Sequence, residues 1–186
     1  MYDDWFEVDA HLSLAHATVV DIVRGSARTW PECPPAATAV LVFSPGADEE
    51  VGAPRDAYEA AWNEAFAAGQ DVLTLIVDLR HRSRNLVVMT LGATVAGDRL
   101  FCGERSSSTF HPEPITDIEP LEATGSPEEL GRSAVGWFED IVGRPLAELD
   151  RAPWPRSFVP GGTPLPRGHR WVRNPLPGPT GSNAAS

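Results

Sequence analysis

The sequence predicts an α+β fold: an antiparallel sheet of about five strands, two or three helices packed on one face, and an extended C-terminal tail. Three observations carry this expectation. Residues 71–104 (DVLTLIVDLRHRSRNLVVMTLGATVAGDRLFCGE) hold three short apolar runs separated by two polar connections, the pattern of an antiparallel meander. Residues 54–68 and 126–143 instead carry apolar side chains at helical spacing. After residue 150 the core pattern fades and prolines accumulate, eight of them in 151–186.

In chain order, residues 5–14 alternate, with Phe6, Val8, Ala10, Leu12 and Leu14 on one side and Glu7, Asp9, His11 and Ser13 on the other. That alternation predicts a half-buried strand. Residues 17–27 place Val19, Val20, Ile22 and Val23 near helical spacing, which predicts a short helix rich in β-branched residues. Trp30–Pro35 holds three prolines and reads as a stiff connection. TAVLVF at 38–43 reads as a buried strand stopped by Ser44-Pro45-Gly46, and an acidic loop follows at 46–54. Pro54 then opens a helix to Ala68 with Tyr58, Ala61, Trp62, Ala65 and Phe66 on one stripe, and Gly69 ends it. Those aromatics read as a core ladder against the sheet.

The meander follows, with its middle strand central to the sheet and Gly97 supplying a positive φ in the Ala96-Gly97-Asp98 turn. Residues 105–125 read as irregular, with a polar hinge at 105–109, a stiff one at 111–114, and a short edge strand over 115–121. Ser126-Pro127-Glu128-Glu129 is a capping box, so a helix starts there, buries Leu130, Ala134, Trp137, Phe138 and Ile141, and ends at Gly143. The order is thus β-α-β-α-β-β-β-α. Residues 1–150 form one domain; residues 151–186 form a Pro/Arg-rich tail partly strapped to it, the last ten or so disordered.

Composition excludes more than it assigns. All fifteen basic side chains are arginine, in a chain rich in Ala, Gly, Pro and Val, as a GC-rich bacterial genome encodes. Without lysine there is no Walker-A lysine, Schiff-base lysine or Ser–Lys dyad, and GxSxG, HExxH, GxGxxG and CxxC are absent too. Cys33 and Cys102 read as buried free thiols. No apolar run is long enough for a membrane span and the N-terminus is acidic, which points to the cytoplasm and away from a membrane partner. No cofactor and no metal site is expected.

Charge is segregated. Residues 1–79 hold 14 acids against three arginines, and residues 80–186 hold 12 of each, for a net charge of −11. Such a body opposes nucleic acid and invites a basic protein. The leading expectation is therefore a non-enzymatic interaction protein of adaptor or immunity-like kind. Its partner would meet the acidic half, including Asp48, Glu49 and Glu50, or the tail through Trp154, Arg170, Trp171 and Arg173.

The alternative is a small-molecule binder or enzyme with a pocket between helices and sheet, using His11, Asp9 and the Arg80–Arg84 loop. In that loop Arg80, His81, Arg82 and Arg84 are candidate anion ligands, since guanidinium forks grip carboxylate or phosphate. His11, His16, Asp9 and Asp21 make the one dense imidazole–carboxylate group, but their spacing fits no zinc signature. Ser106–Ser108 near His111 lack the glycine turn and third partner that a nucleophile needs.

Overall fold

The structure is a computed structural model and describes residues 4–8, 11–46, 54–84, 86–106, 109–113, 118–149, 156–159 and 163–174. It has the α+β arrangement the patterning predicts. The main sheet contains β1 (Thr38–Phe43), β2 (Val72–Arg80), β3 (Val87–Ala96), β4 (Arg99–Ser106) and β5 (Thr109–Glu113) in that spatial order, all antiparallel. A sixth strand, β6 (Leu121–Thr124), pairs with the start of β4. Thus β3 is central. Gly97 turns the β3–β4 hairpin at φ +61°, a conformation that glycine alone adopts without steric cost.

Strand alternation separates two apolar layers. Leu73, Leu75, Val77 and Leu79 of β2, with Leu91, Ala93 and Val95 of β3 and Leu100 and Cys102 of β4, face the main core. Two helices cover that face: α1 (Leu14–Ala27), through Val19, Val20 and Val23, and α3 (Pro127–Val142), through Leu130, Ala134, Phe138 and Ile141. The β-branched residues of α1 are tolerated because burial of its core face outweighs their weak helix propensity. α3 has the full capping box, Ser126 accepting from Glu129 N while Glu129 accepts from Ser126 N.

The opposite face carries α2 (Ala57–Ala67), whose Tyr58, Ala61 and Ala65 meet Val72, Ala96 and Phe101. The expected aromatic ladder is there: Tyr58 packs edge-on against Phe101 at 5.5 Å, and Trp62 lies 5.0 Å from Phe43. α2 starts three residues after Pro54, because the Asp56 side chain accepts from Glu59 N and sets the cap there.

Three local expectations need correction. The described residues of 5–14 form no strand: Phe6 sits at φ +51°, its ring fully buried, and Ser13 caps α1 through His16 N. Residues 109–113 form β5 where a hinge was expected, with Pro112 opposite Arg105 on an edge that tolerates a missing donor. β1 lies at the sheet edge and is mostly half-buried, since only β2 pairs with it. Of the short strand expected at 115–121, residues 115–117 lie outside the described residues, and the strand described next to them is β6, which begins at Leu121.

After α3 the chain builds a second, three-stranded sheet. β7 (Leu146–Leu149) lies between β8 (Arg156–Phe158) and β9 (His169–Arg173). β9 reaches the main core through fully buried Val172, whose carbonyl accepts from Arg82 N at 2.9 Å. The last twelve residues lie outside the described residues.

Candidate functional site

The polar chemistry gathers at the two ends of the β2–β3 hairpin. They are about 26 Å apart, given a strand rise of about 3.3 Å per residue over β2. One end is the Arg80–Arg84 connection; the other is the β3–β4 turn beside the N-termini of α1 and α3.

At the first end the cationic loop has met an anion of its own chain. Glu148, in the middle of β7, is fully buried and accepts from Arg170 Nε at 2.7 Å and from Arg170 Nη2. Arg84 Nη1 and His81 Nε2 each lie 3.8 Å from the same oxygen, Oε1. Arg80 donates to Ala36 O at 2.6 Å, while the Arg82 side chain is exposed. Two of the arginines expected to offer a partner surface are thus engaged within the chain. Arg170 holds Glu148. Arg173 is 1 % exposed and donates to Pro31 O, Glu32 O and Val142 O, and burial pushes its guanidinium pKa down. Trp171 is half-buried; Trp154 and Asp48, Glu49 and Glu50 lie outside the described residues.

Ser83, His81 and Glu148 line up superficially like a nucleophile, base and orienting acid. Ser83 Oγ is 3.4 Å from His81 Nδ1, yet that nitrogen already accepts the Ser83 backbone N–H at 3.1 Å. The lone pair a base would use is occupied by a local turn.

At the second end lies a cleft of about 780 Å³. Its walls are the first turn of α1, the end of α2, the α2–β2 connection, the β3–β4 turn and the start of α3. Glu64, Asp71 and Asp98 line it, with His16, Gln70 and Arg99, over an apolar floor that includes Val19, Val95 and Leu130. Among the described residues none of the three carboxylates has a salt-bridge partner, although Asp4, Asp21, Glu59, Asp140 and Glu148 each have an arginine. Arg99 stacks over the Phe101 ring at 5.0 Å instead.

His16 is 6 % exposed and its Nδ1 is buried without a hydrogen-bond partner. Desolvation holds its pKa below the ordinary 6.5, against the opposing pull of Asp71. Between that lowered value and 6.5 the unfolded chain binds the proton and the folded chain does not. His16 therefore favours the folded state fully above pH 6.5, and the benefit is lost as pH falls below it. Urea midpoints are expected to drop as pH is lowered from 7 through 6, and His16→Gln is expected to flatten that slope.

Neither His11, which is exposed, nor any residue of 80–84 lines this cleft, and Asp9 lies outside the described residues. The sequence singles out His16 but misplaces it, because a strand over residues 5–14 hides the helix start. The signal available was Ser13, a good N-cap three residues ahead of His16. Asp71 and Asp98 carry no such signal; only the antiparallel register brings the start of β2 to the β3–β4 turn.

No group of three or more His, Cys, Asp or Glu side chains able to hold a metal exists among the described residues. Both cysteines are free and buried, burial pushing the Cys33 thiol up to about 11 and Cys102 higher still. No described helix is long and apolar enough to cross a membrane. Compared with protein-family models, with curated proteins and with solved structures, the chain matches none of them.

Proposed function

We propose that this protein is a non-enzymatic binding protein for a basic protein partner, and that the acid-walled end of the sheet is where the partner docks. The observation that carries this is the contrast between the two ends. At the far end Arg80, Arg84, Arg170 and Arg173 are engaged by Glu148 and backbone carbonyls, with Arg82 left exposed. The carboxylates of the near end, Glu64, Asp71 and Asp98, have no salt-bridge partner among the described residues and stand around an open cleft. A net charge of −11 adds a long-range field that speeds encounter with a cationic surface.

Fluorescence anisotropy with labelled peptides tests this on the full chain. Oligoarginine is expected to bind and oligoglutamate not to. The affinity is expected to fall as salt rises from about 0.1 to 1 M, where the screening length shrinks from about 10 to 3 Å. No oligoarginine binding, or equal binding of both peptides, would refute the proposal.

A further inference from the structure

We propose that the cleft between α1, α2 and the β3–β4 turn is a site for an alkylammonium or alkylguanidinium group, with Glu64, Asp71 and Asp98 as its anionic wall and the His16 ring as a hydrogen-bond acceptor. This deepens the function proposed above and rests on it.

Four features of the cleft converge on that chemistry. First, a buried polar atom is nearly always satisfied, because leaving one unpaired forfeits its bonds to water with nothing in return. His16 Nδ1 is such an atom, on a ring that lines the cleft. No described group fixes its tautomer; with the proton on Nε2, Nδ1 keeps its lone pair and is the acceptor that a ligand N–H would satisfy.

Second, the wall is anionic. Among the described residues three carboxylates without a salt-bridge partner face one arginine, and that arginine is stacked on Phe101. The N-terminal ends of α1 and α3 oppose a cation, but each amounts to about half an elementary charge and together they cannot cancel three carboxylates. Third, Val19, Ala61, Ala65, Val95 and Leu130 provide an apolar surface for an alkyl stem beneath the charged head, the division found in arginine and lysine side chains. Fourth, about 780 Å³ is far more than a bare metal ion fills and falls in the usual range for organic ligands. Beside the rim, between the lining residues Ser13 and Ala15, Leu14 is 86 % exposed and extends the apolar surface outward.

Histidine-ring NMR on the full chain tests the site, with the His16 signals assigned through His16→Gln. Butylguanidinium and butylammonium are expected to move the His16 ring resonances saturably, while butanol and butyrate leave them in place. Asp71→Asn/Asp98→Asn is expected to weaken the response at least about tenfold, the loss that follows when charged hydrogen-bond partners are neutralised. Glu119→Gln/Glu122→Gln, exposed acids that do not line the cleft, are expected to leave it unchanged.

A blocked arginine peptide that binds more tightly than butylguanidinium assigns the cation to a partner's side chain. Equal or weaker binding assigns it to a free amine or guanidine. The site is overturned if no saturable shift occurs, if butyrate matches the cations, or if the control variant weakens binding as much. Failure of the small probes while oligoarginine still binds removes this site and leaves the broader function standing.

Discussion

Glu148→Ala is expected to lower folding stability by about 3–5 kcal/mol, the usual cost of stripping the partner from a buried ion pair. Glu148 is fully buried at the centre of the small sheet, and Arg170, Arg84 and His81 all converge on its Oε1. Removing the carboxylate leaves those cationic and polar groups facing one another with nothing between them. The damage extends beyond β7, because the same carboxylate joins the β2–β3 connection to β9. Arg170→Ala is expected to cost only about 1–2 kcal/mol, since that side chain is about a third exposed and water can replace part of what it loses. Urea denaturation of both variants, with unchanged slopes, checks the difference. Equal small losses would mean that Glu148 is not the hub of the cluster.

Gly92→Ala is expected to cost about 3 kcal/mol, the upper end of what overpacking one methyl produces. Gly92 sits in the middle of β3, opposite Gly103 of β4. A Cβ there would stand 2.1 Å from Arg105 Nε, 2.4 Å from its Cδ and 2.8 Å from its Cγ. Arg105 cannot swing aside: it is 3 % exposed and donates to Tyr58 Oη at 3.3 Å and to Thr94 Oγ1 beneath α2. The clash is with the middle of an anchored side chain, so backbone must move. Arg105→Ala is expected to be harmful alone yet to relieve Gly92→Ala, giving a double variant milder than the sum of the two. Strict additivity in thermal or urea unfolding would place Arg105 elsewhere.

Much of the fold was legible because local and tertiary signals agree. The runs in 72–104 are short, β-branched and separated by turn residues, and they form β2, β3 and β4 with Gly97 at the turn. Ser126 to Glu129 announces α3 because a capping box is a purely local device. The failures are tertiary. Phe6 alternates properly with its neighbours, but the aromatic cluster with Trp30 and Phe138 captures it in a left-handed turn. Pro112 looks like a stop until an edge position makes its missing donor harmless.

The candidate sites follow the same rule. The positive charge of the Arg80–Arg84 loop is plain in the sequence. Its counter-ion, Glu148, lies more than sixty residues later and meets it only when β7 and β9 close over the loop. His16 and the carboxylates of the cleft come from separate elements that share an end of the sheet.

The most direct measurement compares two charge-matched variants for oligoarginine affinity at low salt. One carries Glu64→Gln, Asp71→Asn and Asp98→Asn in the cleft. The other carries Glu7→Gln, Glu119→Gln and Glu122→Gln, exposed positions outside it. Both alter net charge equally, so both lose the same long-range attraction. The cleft variant is expected to bind at least about tenfold more weakly than the control, as short-range charged contacts require. Equal weakening would show that binding follows net charge alone, and would contradict a docking site at the acid-walled end of the sheet.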